Sequence, residues 1–263
     1  MGIRKLLTRD TNIIELSEKA KNNIILSNKL GYKTDLISIW PDWYKYNKEL
    51  YFFKKMDDKP NRFVNELIGE KLSNILGIDT IHYEIAKQGF DYGLASKNFK
   101  KTGNRYYFMK DLYLPNQPTN FSNLDRLKEK CKTNEEYEIL LNEILKALAI
   151  DLYMNQMDRY QSNIQFRKDK TGLHLAPLYD FEKSFLLNEN YYQSNLLRVY
   201  LNSDEYIKTY PYLKEELEKL FELDIEDTLE EIEDERKIKI PNTMKYEYKG
   251  YVNNRKSLIK RTW

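Results

Sequence analysis

Three side chains stand out for the chemistry they could do together. Asp158 and Asn163 stand at an Asp-x-x-x-x-Asn spacing within Asn155-Gln-Met-Asp-Arg-Tyr-Gln-Ser-Asn163, and Asp180 follows in Leu178-Tyr-Asp-Phe-Glu182. Carboxylate and amide oxygens suit a hard divalent cation such as Mg²⁺. With one carboxylate to orient an attacking hydroxyl and a lysine to face the other phosphates, such a set equips a protein for phosphoryl transfer from ATP, a reaction that asks for positioning and charge more than for covalent chemistry. The same spacing recurs at Asp42 to Asn47 and at Asp111 to Asn116. Neither copy follows a long amphipathic helix or leads into a hairpin that ends in an apolar Leu-Tyr-Asp, whereas the Asp158 copy does both.

The elements that must hold these residues can be read from periodicity. From Glu135 to Met154, Tyr137, Leu140, Leu141, Ile144, Leu145, Leu148 and Leu152 form the apolar stripe of a helix, which breaks at Asn155. Ile164 to Arg167 and Leu173 to Leu178 read as two strands joined by the turn Lys168-Asp-Lys-Thr-Gly172, and beyond Phe185 the chain is expected to be helical again.

Upstream, the aromatic run Glu49 to Lys55 predicts a strand, broken by Asp57-Asp-Lys-Pro60. Val64, Leu67, Ile68, Leu72, Ile75 and Leu76 then mark one face of a helix that Gly77 is placed to end. Short strands are expected at His82 to Ala86 and Tyr92 to Ser96, with a turn at Lys101 to Asn104 before Arg105 to Met109. The whole is α+β: a mixed N-lobe over residues 1–99 and a mainly helical C-lobe over residues 100–263, with the hairpin under the cleft between them.

Composition narrows the remaining classes. At 263 residues the chain can bury a core without staples, and one Cys131 with two histidines, His82 and His174, excludes a disulfide framework or a Cys/His zinc site. The net charge of +2 gives no reason to invoke nucleic acid, and no apolar run approaches the roughly 18 residues of a membrane span. The acidic stretch from Glu215 to Glu235 and the basic end with Arg255, Lys256, Lys260 and Arg261 read as solvated faces. A cytoplasmic protein without direct nucleic-acid or membrane partners is expected.

The segment Asn155 to Asn163, together with Leu175-Ala-Pro-Leu-Tyr-Asp-Phe181, resembles the catalytic loop and metal-binding segment of HipA-like serine/threonine kinases. Tyr51-Phe-Phe-Lys54, Asn65-Glu-Leu67 and Leu76-Gly-Ile78 are similar to that family's ATP-lysine strand and first-lobe helix. The resemblance implies a two-lobed protein-kinase-like fold, ATP and Mg²⁺ as cofactors, and a protein substrate, the kinase itself included; Ser27 and Thr34, near the Gly31 to Thr34 segment, are candidate acceptors by position alone. By the same resemblance Asp158 would orient or deprotonate the acceptor hydroxyl, Asn163 and Asp180 would hold Mg²⁺, and Lys54 would contact the phosphates and pair with Glu66. Ser96, Lys97 and Asn98, at the end of a strand similar to the one entering the inter-lobe hinge, would lie against adenine.

Several positions stay open or depart from the pattern. Strand alternation places Lys54 and Lys55 on opposite faces that are both apolar, so it does not choose between them. Glu66 lies nearly opposite the helix's apolar stripe, on a face expected to be wet, and Glu70 lies on nearly the same side one turn later. Glycine is too sparse for a phosphate-binding glycine loop; Gly31-Tyr-Lys-Thr34 reads first as a plain turn, with a phosphate cover as the alternative. Gln156 stands where ordinary kinases have His, Glu182 replaces the Gly of Asp-Phe-Gly, and no Ala-Pro-Glu follows.

Full-length HipA toxins carry a further N-terminal subdomain and work with a DNA-binding antitoxin. Too few residues precede Lys54 for that subdomain, so a stand-alone kinase core is expected and an antitoxin partner is doubtful. The alternatives are a small-molecule or lipid phosphotransferase and a nucleotide-binding pseudokinase.

Overall fold

A computed structural model of the chain describes residues 2–20, 42–101, 103–108, 127–156, 159, 163–185 and 211–261. Asp158, Ser27, the Gly31 to Thr34 segment and the Asp111 to Asn116 copy lie outside the described residues. The architecture is α+β, as the sequence predicts. A six-stranded sheet runs in the order β1-β5-β6-β4-β3-β2, where β1 is Ile14–Glu15, β2 Glu18–Lys19, β3 Asp42–Tyr46, β4 Glu49–Lys55, β5 Tyr83–Gln88 and β6 Asp91–Lys97. A second sheet, β7 (Arg105–Phe108), β8 (Gln165–Lys168) and β9 (Leu173–Leu175), is three-stranded and antiparallel. The helices are α1 (Pro60–Ile75), α2 (Asn134–Met154), α3 (Pro211–Glu222), α4 (Ile225–Arg236) and α5 (Asn242–Lys260).

The long helices form where the apolar periodicity requires them, and their ends have local causes. Pro60 opens α1, where its missing N–H costs nothing. Gly77 ends it in the left-handed region, with Ile78 N donating to Ser73 O at 2.9 Å and Gly77 N to Asn74 O at 3.1 Å, the paired bonds of a Schellman stop. In α2 the Thr133 side chain accepts from Glu136 N at 3.1 Å, and Asn155, again left-handed, turns the chain out of the helix.

Strand β3 coincides with the Asp42 copy of the spacing. Its partner β4 is reached through Asn47 and Lys48, both at positive φ, so the copy is a hairpin that builds the sheet.

Both sheets rest on the same helices. Phe63, Val64, Leu67, Ile68 and Leu72 of α1 join Leu145, Leu148, Leu152 and Met154 of α2 and Leu213, Leu217 and Leu229 of α3 and α4 in one apolar cluster, which extends to Ile3 and Ile259 near the two ends of the chain. Helix α2 also serves the second sheet: Glu136 Oε1 and Glu143 Oε2 accept from Leu173 N and Leu175 N at 2.6 and 2.7 Å, covering the edge of β9 that no strand pairs among the described residues.

Candidate active site

Strand β4 carries Lys54 to a place where it meets three acidic residues from two other segments. Its Nζ lies 2.7 Å from Glu66 Oε1 on α1, 2.6 Å from Asp180 Oδ1 and 3.2 Å from Glu182 Oε2. Lys55, the next residue, turns to the outside and pairs with Asp91 at 2.7 Å. Tertiary packing thus separates the two lysines that strand alternation leaves equivalent. Glu70 is separated from Glu66 in the same way: one turn further along α1, it faces His82 and Arg236, each at 2.7 Å.

Glu66 is buried, contrary to the wet face expected from the helical wheel. Every residue of α1 from Phe63 to Glu70 is buried, because the helix is enclosed on all sides rather than half-exposed. Glu66 survives there by being satisfied. Besides Lys54, its Oε2 accepts from the Tyr83 hydroxyl at 3.0 Å and from Phe181 N at 2.8 Å. Burial pushes the Glu66 carboxyl up, and Lys54 pulls it partly back. Burial also opposes the charge on Lys54, but Glu66 and Asp180 outweigh it and hold the ammonium well above the ordinary lysine value. For Asp180, burial pushes upward and is outweighed by the attraction of Lys54, so its carboxyl falls below the usual range.

Asp180 adopts a positive φ of 65°, a conformation uncommon for a non-glycine residue and tolerated best by Asp and Asn. Its neighbours hold it there. Gln156 Nε2 donates to Asp180 O at 2.5 Å, and Asn163 Nδ2 donates to Asp180 Oδ2 at 3.0 Å. Phe181 packs directly under Gly69 of α1, where an added Cβ would come 2.2 Å from the ring. Below it, Arg159 lies 4.7 Å from the Phe181 ring centroid, donates to Tyr179 O, and forms a buried ion pair with Asp151 of α2 at 3.1 Å.

Beside Lys54 opens a cavity of about 180 Å³ lined by apolar and aromatic side chains and by Ser96, Lys97 and Asn98. That is smaller than the roughly 300–1,000 Å³ of sites for drug-sized ligands and suits one flat ring, with Lys54 and Asp180 at its edge. Among the lining residues, Trp43 and Phe52 meet edge to face at 5.7 Å, and Phe99 and Tyr179 stack at 6.4 Å. Lys97 sends its ammonium to Glu49 at 2.8 Å.

The structure therefore brings together Lys54, Glu66, Ser96, Lys97, Asn98, Asn163 and Asp180; Asp158 lies outside the described residues. Sequence reasoning missed the aromatic walls. A signal for Trp43 was present, since Asp42-Trp-Tyr-Lys-Tyr46 is as aromatic-rich as the run from Glu49 and is separated from it by a two-residue turn. It also missed what the departures do: Glu182 joins the Lys54 cluster and lies 3.6 Å from Arg62, and Gln156 secures the Asp180 backbone.

The oxygens of Glu66, Asp180 and Glu182 lie within 4.8 Å of one another. Glu66 is committed to Lys54, Tyr83 and Phe181, so of this group Asp180 and Glu182 would be the oxygen donors to a magnesium ion, with Asn163 beside Asp180 turning its amide nitrogen to it. Among the described residues no helix is long and apolar enough to cross a membrane.

No protein-family model and no curated protein matches the sequence. Solved structures do. The crystal structure of the Helicobacter pylori proinflammatory kinase CtkA is similar with a TM-score of 0.60 at 15% identity, covering 82% of this chain and 87% of that one. HipA of Shewanella oneidensis MR-1, solved with HipB and operator DNA, is similar with a TM-score of 0.57 at 13% identity, covering 95% of this chain and 72% of that one. The chain has the kinase-like fold of HipA and CtkA.

Proposed function

We propose that this protein is an ATP- and Mg²⁺-dependent kinase that transfers the γ-phosphoryl group to a Ser or Thr hydroxyl of a protein, itself included. One observation carries the reading. An ammonium from the sheet reaches both a buried helix glutamate and the aspartate after the hairpin, with Asn163 on that aspartate's other oxygen, in the lining of a largely aromatic cavity. These are the positions that nucleotide phosphates and their metal demand, and the likeness in fold to a kinase supports the same reading.

In this reading the cavity takes adenine between its aromatic walls, with the strand end at Ser96, Lys97 and Asn98 alongside. Lys54 neutralises the phosphates that stay behind, and Glu66 holds it in place. Asp180 and Asn163 would hold magnesium, which when bound neutralises charge on the phosphates. Asp158 orients the acceptor hydroxyl and takes its proton. With ATP as donor the cytoplasm is the compartment we assign, without direct nucleic-acid or membrane partners.

The test is transfer from γ-labelled ATP by wild type and by Asp158→Ala. Label on protein that the substitution abolishes supports the proposal. Label only on a small acceptor would reassign the chain to small-molecule or lipid phosphotransfer, and nucleotide binding without any transfer would make it a binding module.

A further inference from the structure

Tyr83 occupies an unusual place in the sheet. Strand β1 pairs with β5 only at Ala86 and Lys87, so the outer edge of β5 at Tyr83 has no strand beside it among the described residues. Side chains cover that edge. Tyr83 N donates to Glu70 Oε2 at 3.2 Å, and Tyr83 O accepts from Arg236 Nη1 at 2.8 Å, while Arg236 Nη2 donates to Glu70 Oε1 at 2.7 Å. Arg236 is the last residue of α4, a helix 153 residues further along the chain, and its guanidinium closes a ring with Glu70 of α1 and the backbone of β5. Lys71, next to Glu70, ties the same two helices through Glu231 and Glu235 at 2.8 and 2.5 Å.

From the other end of the same residue, the Tyr83 hydroxyl donates to Glu66 Oε2 at 3.0 Å and lies 3.5 Å from Asp180 N. Glu66 is one turn of α1 from Glu70. The fork on Arg236 therefore fixes both the helix that carries Glu66 and the strand residue whose hydroxyl aims it.

We infer that Arg236 is a positioning residue for phosphoryl transfer, acting through Glu70 and Tyr83 to hold the Lys54–Glu66 pair and Asp180 in register, so that the C-terminal helices set the geometry of a site they do not touch. The inference rests on the proposed kinase function. Its physical content is that small displacements of a catalytic cation, transmitted from a distance, are expensive in rate.

The full-length chain is the test object, with Mg²⁺-dependent turnover of ATP as the readout. Arg236→Ala is expected to lower kcat about 10- to 100-fold, while the KM for ATP moves by less than about threefold. Tyr83→Phe is expected to cost a similar factor, and the double variant little more than either alone, because both remove one chain of contacts.

Independent losses that multiply, or a KM for ATP that rises and a melting midpoint that falls as kcat falls, would reduce Arg236 to a structural tie and overturn the inference. Arg236→Lys covers the case in which the alanine variant does not fold: it keeps a charge opposite Glu70 but lacks the fork that spans Glu70 and the Tyr83 carbonyl. Wild-type kcat in that folded variant refutes the positioning role while leaving the kinase intact. A wild-type protein that turns over no ATP removes the proposed function, and this inference with it.

Discussion

Two buried ionic groups lie one above the other in this molecule, and they are built differently. Under Phe181, Asp151 and Arg159 form a closed pair: one charge of each sign, both 1% exposed, with the guanidinium donating to both carboxylate oxygens at 3.1 to 3.3 Å and also to Tyr179 O. Above it, Lys54 is shared by Glu66, Asp180 and Glu182, and Lys54 and Asp180 keep about a fifth of their side-chain surface open, at the edge of a cavity. The lower pair is balanced and dry, which makes it scaffolding. The upper cluster has more carboxylates than cations and an open side, so it can accept a further cation and exchange partners. Burial alone does not distinguish function from structure here; the charge balance and the open side do.

Variants that separate stability from activity test this contrast. The largest effect is expected at the lower pair: Arg159→Ala leaves Asp151 buried without a counter-charge and should destabilise the fold by about 3–5 kcal/mol, read by denaturant unfolding. A loss under 1 kcal/mol would mean that the pair is not the scaffold described, on a scale where about 1 kcal/mol is an ordinary substitution. Asp180→Asn, which keeps a residue type suited to the positive φ of that position, should do the reverse, lowering Mg²⁺-dependent ATP turnover about 100- to 1,000-fold while changing unfolding far less than Arg159→Ala does. Unaltered turnover in that variant would break the comparison at its centre.

Lys54→Met combines the two outcomes, abolishing turnover and destabilising the fold because it strips the shared cation from three acids, whereas Lys55→Met should leave both at wild-type values. Equal effects at the two lysines would contradict the geometry of β4.

The smallest effect is at His82, an exposed side chain that bonds the buried Glu70 of α1. The hydrogen bond to Glu70 raises the His82 pKa, against burial and the nearby Arg236 charge. The bond's contribution to stability is therefore full below the unfolded value of about 6.5 and is lost as pH rises through the higher folded value. The stability difference between wild type and His82→Gln should shrink across that interval, and the His82 imidazole resonance should titrate above about 6.5 in wild type and lower in Glu70→Gln. A difference that grows with pH would have the wrong sign for this bond.

The sequence carried much of the fold in plain view because periodicity is local. The stripes in α1 and α2, the stop at Gly77, the break at Asn155 and the hairpin at Lys168 to Gly172 each depend on neighbours within a few residues, and the structure forms each of them. The candidate site was legible at Asn163 and Asp180 because that spacing sits between a helix and a hairpin. What was not legible depended on enclosure. The helical wheel assigns Glu66 to water because it assumes that one face of α1 is free, and it cannot know that the helix is covered all round. Trp43 was masked because the Asp42 to Asn47 spacing matches a catalytic loop, while the aromatic residues between them belong to a strand.

By itself the sequence determined which segments are helix or strand and which residue types the chemistry can draw on, since both are written in short-range spacing. Only the tertiary structure decided that Lys54 and not Lys55 meets Asp180, 126 residues away, that Glu66 and not Glu70 shares that lysine, and that Arg236 reaches back to Tyr83. Those choices turn on which face of a strand or helix becomes enclosed and by what. They are settled only when distant segments close on one another and each buried charge must find a partner.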